Sequence, residues 1–215
     1  MKTTKINNEY TKIICILDRS TSMGVIIDQA INGFNEFLIG QQNCEGKASM
    51  TTVMFDSSYE KLYENIDIHK VEKFNRKTYS PRGCTALYDA IGVTIDEEID
   101  NLGEITLKDR PDKTLCVILT DGEENSSKQY NQSKIKTLVD DMKENFNWEF
   151  IFLAANQDAA LAATSIGIST GNSMTFDYSD DGINAAYTTL NVAASNFRSA
   201  SKGVKTDSLI EDIEE

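Results

Sequence analysis

This chain of 215 residues has one histidine, two prolines and four cysteines, and each shortage excludes something. A single histidine offers no catalytic pair, and His69 sits in a polar segment that reads as surface. Two prolines and no Gly/Ser-rich run leave no linker, so one domain is expected. The cysteines show neither metal nor redox spacing. Cys15 and Cys116 lie in apolar runs, where a free thiol acts as a small hydrophobe, and a reducing, cytoplasmic setting is expected. Cys84 reads as a structural thiol. Basic residues are also scarce, 21 against 34 acidic, for a net charge of −13. No Lys/Arg cluster is present to follow phosphates, which argues against nucleic acid and an anionic membrane surface as partners. No stretch approaches the roughly 20 apolar residues of a spanning helix. Met1 to Tyr10 lack the apolar core of a signal peptide.

What is present is an ordinary globular composition, 40% hydrophobic and 26% charged, with strand and helix patterns alternating from end to end. Unbroken apolar or β-branched runs predict strands over Lys12–Leu17, Ala48–Phe55, Thr114–Leu119 and Trp148–Ala154. Lys61–Ile68 alternates and pairs with Ala48–Phe55 as an antiparallel hairpin through Asp56-Ser57-Ser58, while Ser173–Phe176 supplies an edge. Helical spacing marks Val25–Ile39, Ala86–Leu102, Ile135–Phe146, Ala159–Ile166 and Gly182–Ala200. The expected fold is α/β, a doubly wound, mostly parallel sheet with helices on both faces. Residues 1–10 form an N-terminal extension, 11–200 the domain, and 201–215 a polar, acidic tail.

In such a sheet ligands bind outside the carboxyl ends of the strands. Asp18, Ser20 and Ser22 follow the first strand there, on alternate residues that point the same way in an extended loop. Asp121, in Thr120-Asp121-Gly122, follows the Thr114 strand, and Thr85 stands just before a helix. Each is unremarkable by itself, as a helix cap or a turn. Together they bring two carboxylates and three hydroxyls to one edge, the hard oxygen set that suits Mg²⁺. Two carboxylates at most neutralise a dication, and if one binds through water the metal stays electrophilic and open to an outside anion, whereas a Ca²⁺ cage carries more carboxylates. Asp89 reads as support for its helix N-terminus, and Glu123, Glu124 and Asn125 as a solvated rim. Asn156-Gln157-Asp158 borders the same face or starts the next helix.

These stretches resemble the von Willebrand factor A family over about Lys12 to Ala200. Asp18-Arg19-Ser20-Thr21-Ser22-Met23, Thr85 ahead of Ala86-Leu87-Tyr88-Asp89-Ala90, and Thr120-Asp121-Gly122 match the three parts of its metal-ion-dependent adhesion site in order. The resemblance implies six strands with one antiparallel edge strand, and Mg²⁺ or Mn²⁺ at the top. It implies Ser20 and Ser22 as direct ligands, Thr85 direct when a partner is bound, and Asp18 and Asp121 acting mostly through water. Leu153 to Ala159 looks like short stand-alone bacterial and phage members, including tellurite-resistance-type proteins. With no signal-peptide pattern and no flanking domain in these 215 residues, the chain is expected to depart from the extracellular adhesins.

The expected function is a cytoplasmic adaptor whose metal grips an acidic side chain of a partner protein. The alternatives are a Mg²⁺-dependent phosphohydrolase using Asp18, a regulatory subunit of an ATPase, and a small-ligand binder. Against the hydrolase, Ser20 stands where a second Asp is wanted, no Lys is near, and there is no P-loop or Gly-x-Ser-x-Gly elbow.

Overall fold

Eight consecutive buried positions make Thr11–Asp18 a strand with no solvent face, β1. The same holds for β2 (Ala48–Phe55), β4 (Lys113–Thr120) and β5 (Trp148–Ala155). Strand β3 (Tyr59–Asp67) is half-exposed and β6 (Ser173–Phe176) is short, as suits the two edges. The order is β3-β2-β1-β4-β5-β6, with β2 and β3 antiparallel and every other pair parallel. The computed structural model describes residues 9–155, 158–201, 203 and 208–210.

Alternation along β1 divides the interior in two. Ile13, Cys15 and Leu17 face α1 (Ile27–Asn43) and α5 (Asp180–Ser199). Ile14 and Ile16 face α2 (Leu87–Glu104), α3 (Gln132–Asn145) and α4 (Ala159–Ser165). Helices α1 and α5 approach closely because α1 has a glycine at the contact. A Cβ on Gly33 would lie 2.1 Å from Cδ2 of the buried Tyr187 ring. Two buried cations cap helix ends. Arg198 donates to the carbonyls of Gln41 in the last turn of α1 and of Cys44, Glu45 and Gly46 just beyond it, and Lys113 donates to those of Phe197, Arg198 and Ala200 at the end of α5.

The α/β architecture expected from the patterns is present, with differences at element ends. The first helix begins at Ile27 rather than Val25, because Thr21–Ile26 winds as a 3₁₀ segment that buries Met23 and Ile26. Strand β3 begins at Tyr59 rather than Lys61, and its pairing with β2 shifts register between Met50 and Val53, where Asn65 takes a positive φ. Tyr10, placed in the N-terminal extension, is tied in through its amide to Asp112 and its hydroxyl to Ser49. Leu209 and Ile210, placed in the polar tail, are buried in the α1/α5 core, and their amides donate to Asn172 Oδ1 and the Gly171 carbonyl. Residues 1–8 and 211–215 of those two segments lie outside the described residues. Among the described residues no helix is long and apolar enough to cross a membrane.

Candidate metal centre

Leu17 pairs with Leu119, so Asp18 and Thr120 leave the sheet side by side at the seam of β1 and β4. The chain passes from β1 to β2 on one flank and places β4 on the other, so this seam is where the strand order reverses. Asp18 is fully buried. Its Oδ1 accepts from the Ser20 amide and its Oδ2 from the Thr120 hydroxyl, both at 2.6 Å. The Ser20 and Ser22 hydroxyls lie 3.0 Å apart and reach Asp121 Oδ1 at 3.4 and 2.8 Å. The expected convergence is there, but an extended loop is not its cause. Ser20 is extended and the 3₁₀ turn from Thr21 brings Ser22 back beside it.

Thr85 is buried next to the same segment. A Cβ on Gly122 would lie 3.3 Å from Thr85 Oγ1, so the glycine gives the hydroxyl its room. That hydroxyl makes no hydrogen bond to a described residue. Three loops from distant parts of the chain therefore bring Asp18, Ser20, Ser22, Thr85 and Asp121 together. Asp121 Oδ2 is buried without a hydrogen-bond partner, an acceptor with nothing to accept. The Tyr178 hydroxyl lies against this carboxylate, but its proton goes to the Ser22 carbonyl.

Burial pushes the Asp18 carboxyl up to about 6, against the hydrogen bonds from Thr120 and Ser20, and the charge of Asp121 adds to the rise. Burial raises Asp121 as well. Two crowded carboxylates with a spare oxygen and three hydroxyls are a donor set that a dication fits. Among the described residues no group of three or more His, Cys, Asp and Glu is placed to hold a metal. This set differs because only two of its five residues, Asp18 and Asp121, are of those types and the other three are hydroxyl residues.

Several supporting residues were not foreseen. Thr120 positions Asp18, while Tyr79 donates to the Asp18 carbonyl. Arg19 is buried and pairs with Asp56 and Glu60. Glu124 is half-buried and acts as a structural pin rather than a solvated rim residue, and Asn125 is exposed but pinned as well. Glu124 accepts from the amides of Tyr88, Ser126 and Ser127, and Asn125 brackets the Thr85 backbone. Asp89 accepts from the amides of Lys128, Gln129 and Tyr130 and so secures the loop after β4. Glu123 and Cys84 are exposed near the site, and His69 is exposed after β3. Asp158 caps α4 by accepting from the Leu161 amide, and Asn156 and Gln157 lie outside the described residues.

No family model matches the chain. No curated protein matches it either. Solved structures do. Proximal thread matrix protein 1 from the mussel byssus, solved with a zinc-occupied MIDAS motif, is 16% identical, with a TM-score of 0.61 over 87% of this chain and 46% of its own. The ArnB paralogue VWA2 from Sulfolobus acidocaldarius is 17% identical, with a TM-score of 0.53 over 86% of this chain and 45% of its own. The pilus adhesin SpaC from Lactobacillus rhamnosus GG is 15% identical, with a TM-score of 0.59 over 86% of this chain and 30% of its own. The chain thus spans less than half the length of these structures. Its six-stranded sheet, five strands parallel and one antiparallel at the edge, is the fold of a von Willebrand factor A domain.

Proposed function

We propose that this protein is a metal-dependent protein-binding module, an adaptor in which Asp18, Ser20, Ser22, Thr85 and Asp121 hold Mg²⁺ or Mn²⁺. The bound cation supplies an electrophilic position for an Asp or Glu side chain of a partner protein. The observation that carries the reading is the convergence of these five residues at the switch point, with Asp121 Oδ2 buried and unpartnered. Two carboxylates at most neutralise a dication, and with one of them acting through water the cation would stay electrophilic, which favours an anionic partner. The mussel protein's zinc-occupied motif makes a divalent ion reasonable on this fold.

A hydrolase is disfavoured by the state of Asp18. A nucleophile needs a free, accessible oxygen, and both oxygens of this buried carboxylate accept hydrogen bonds. A regulatory subunit of an ATPase or a small-ligand binder would differ from the adaptor in what it binds, not in the site.

The test is affinity capture from host lysate in Mg²⁺ and in EDTA, with Asp18→Ala alongside, paired with calorimetric titration of Mg²⁺ into purified protein. A protein retained only with Mg²⁺ and intact Asp18 is the expected result. Equal retention in all lanes, or no heat of Mg²⁺ binding, removes the reading.

A further inference from the structure

Ser20, Ser22 and Asp121 sit within four residues of the ends of β1 and β4, but Thr85 is carried by a long loop after β3. What fixes Thr85 is a set of tethers to residues that are not candidate ligands. From one side, Asn125 Oδ1 accepts from the Thr85 amide at 3.0 Å, and the Asn125 amide donates to the Thr85 carbonyl at 3.1 Å. From the other, Asp56 Oδ2 accepts from Nε of both Arg82 and Arg19, at 3.0 and 2.9 Å. The Arg82 amide donates to the Arg19 carbonyl, and the Ala86 amide to the Asp56 carbonyl. Asp56 thus binds a residue of the first metal loop and two residues flanking Thr85. Hydrogen bonds to its own turn, from the Ser58 amide and hydroxyl, hold it in place.

We propose that Asn125 and the Arg82–Asp56 pair are positioning residues of the metal site, holding Thr85 against Gly122 and so setting the affinity for the cation. This inference rests on the metal-binding reading above. The Arg82 side chain is 57% exposed, and without it the buried Asp56 still pairs with Arg19, so the Arg82 contact adds little to folding. Its value lies in where it holds the loop.

Charge makes the test sharp. Removing a cation from beside a dication site strengthens metal binding by Coulomb attraction alone. Loosening Thr85 weakens it. The experiment measures Mn²⁺ affinity by electron paramagnetic resonance of the free ion, and the unfolding midpoint in EDTA, for wild type, Arg82→Ala, Arg82→Lys, Asn125→Ala and Asp121→Ala. Arg82→Ala and Asn125→Ala are each expected to bind Mn²⁺ about tenfold more weakly, in the range of outer-shell substitutions at metal sites. Their EDTA midpoints are expected near wild type, and Arg82→Lys, which still reaches Asp56, recovers part of the affinity. Mn²⁺ affinity equal to or tighter than wild type in Arg82→Ala overturns the proposal while leaving the metal site standing. Wild type that binds no better than Asp121→Ala overturns the metal-binding reading, and this proposal with it.

Discussion

Replacing Asp121 by asparagine is expected to move stability in opposite directions with and without a divalent cation. The Ser22 hydroxyl donates to Asp121 Oδ1, a bond an amide oxygen accepts equally well. The change is at Oδ2, which is buried and unpartnered. The adjacent Tyr178 hydroxyl, which donates to the Ser22 carbonyl, can accept from an amide nitrogen. The substitution also removes a charge that raises the Asp18 carboxyl. An unsatisfied buried acceptor costs about 1–3 kcal/mol, and Asp121 is only partly buried, so the gain in EDTA is about 1 kcal/mol. For a chain of this size that raises the thermal midpoint by roughly 2–4 °C. With Mg²⁺ at a hundred times its dissociation constant, wild type gains about 2.7 kcal/mol, or roughly 5–10 °C, and the variant gains almost none. The order of midpoints therefore inverts between the two buffers. Far-UV circular dichroism melts at matched ionic strength measure it. A variant that melts below wild type in EDTA, or responds equally to Mg²⁺, refutes the reasoning.

Other expectations concern the frame and pH. Gly33→Ala drives a methyl into the Tyr187 ring and is expected to cost about 1–3 kcal/mol, whereas Gly103→Ala, with nothing within 4 Å of the added carbon, should gain about 0.5–1 kcal/mol; urea melts that shift both the same way contradict this. Arg198→Met strips the donor from four carbonyls and should cost about 3 kcal/mol, with Arg198→Lys recovering little because one ammonium cannot span them; a loss under about 1 kcal/mol in urea unfolding would show the cap to be dispensable. In EDTA, Asp18, raised from 3.8 to about 6, takes up a proton in the folded state first, so stability should rise by up to about 3 kcal/mol as pH falls from 7 toward 4. Burial would also raise Asp56 and Asp89, but hydrogen bonds to Asp56 from Ser58, Arg19 and Arg82, and to Asp89 from backbone amides, hold both below their usual value. Their contribution is present above about pH 4 and is lost as pH falls through their folded values. A midpoint that falls steadily from pH 7 in EDTA sinks this account.

The strands were legible because they are covered on both faces. Burial of β1, β4 and β5 requires unbroken apolar runs, and such runs are visible without a structure. The start of α1 differs from the expectation because Ile26 continues its apolar spacing while the backbone there is still 3₁₀. In the site, the five oxygen donors could be named because each lies just past a strand or just before a helix. Their supports could not. Arg19 finds Asp56 across 37 residues and Thr120 finds Asp18 across 102, and no local pattern marks either pairing. Leu209 and Ile210 are two apolar residues in a polar stretch, too short a signal to reveal that they complete a core.

The position of β1 and β4 at the centre of the sheet has a consequence for amide exchange. Exposing the amides of a central strand requires its neighbours on both flanks to separate, so Asp18 and Thr120 belong to the part of the molecule that opens only on global unfolding. The Thr85 loop is held instead by side chains and single backbone bonds, and it can open alone. Two halves of one site thus report on different free energies. Deuterium should enter the Thr85 segment orders of magnitude sooner than the strand ends beside it.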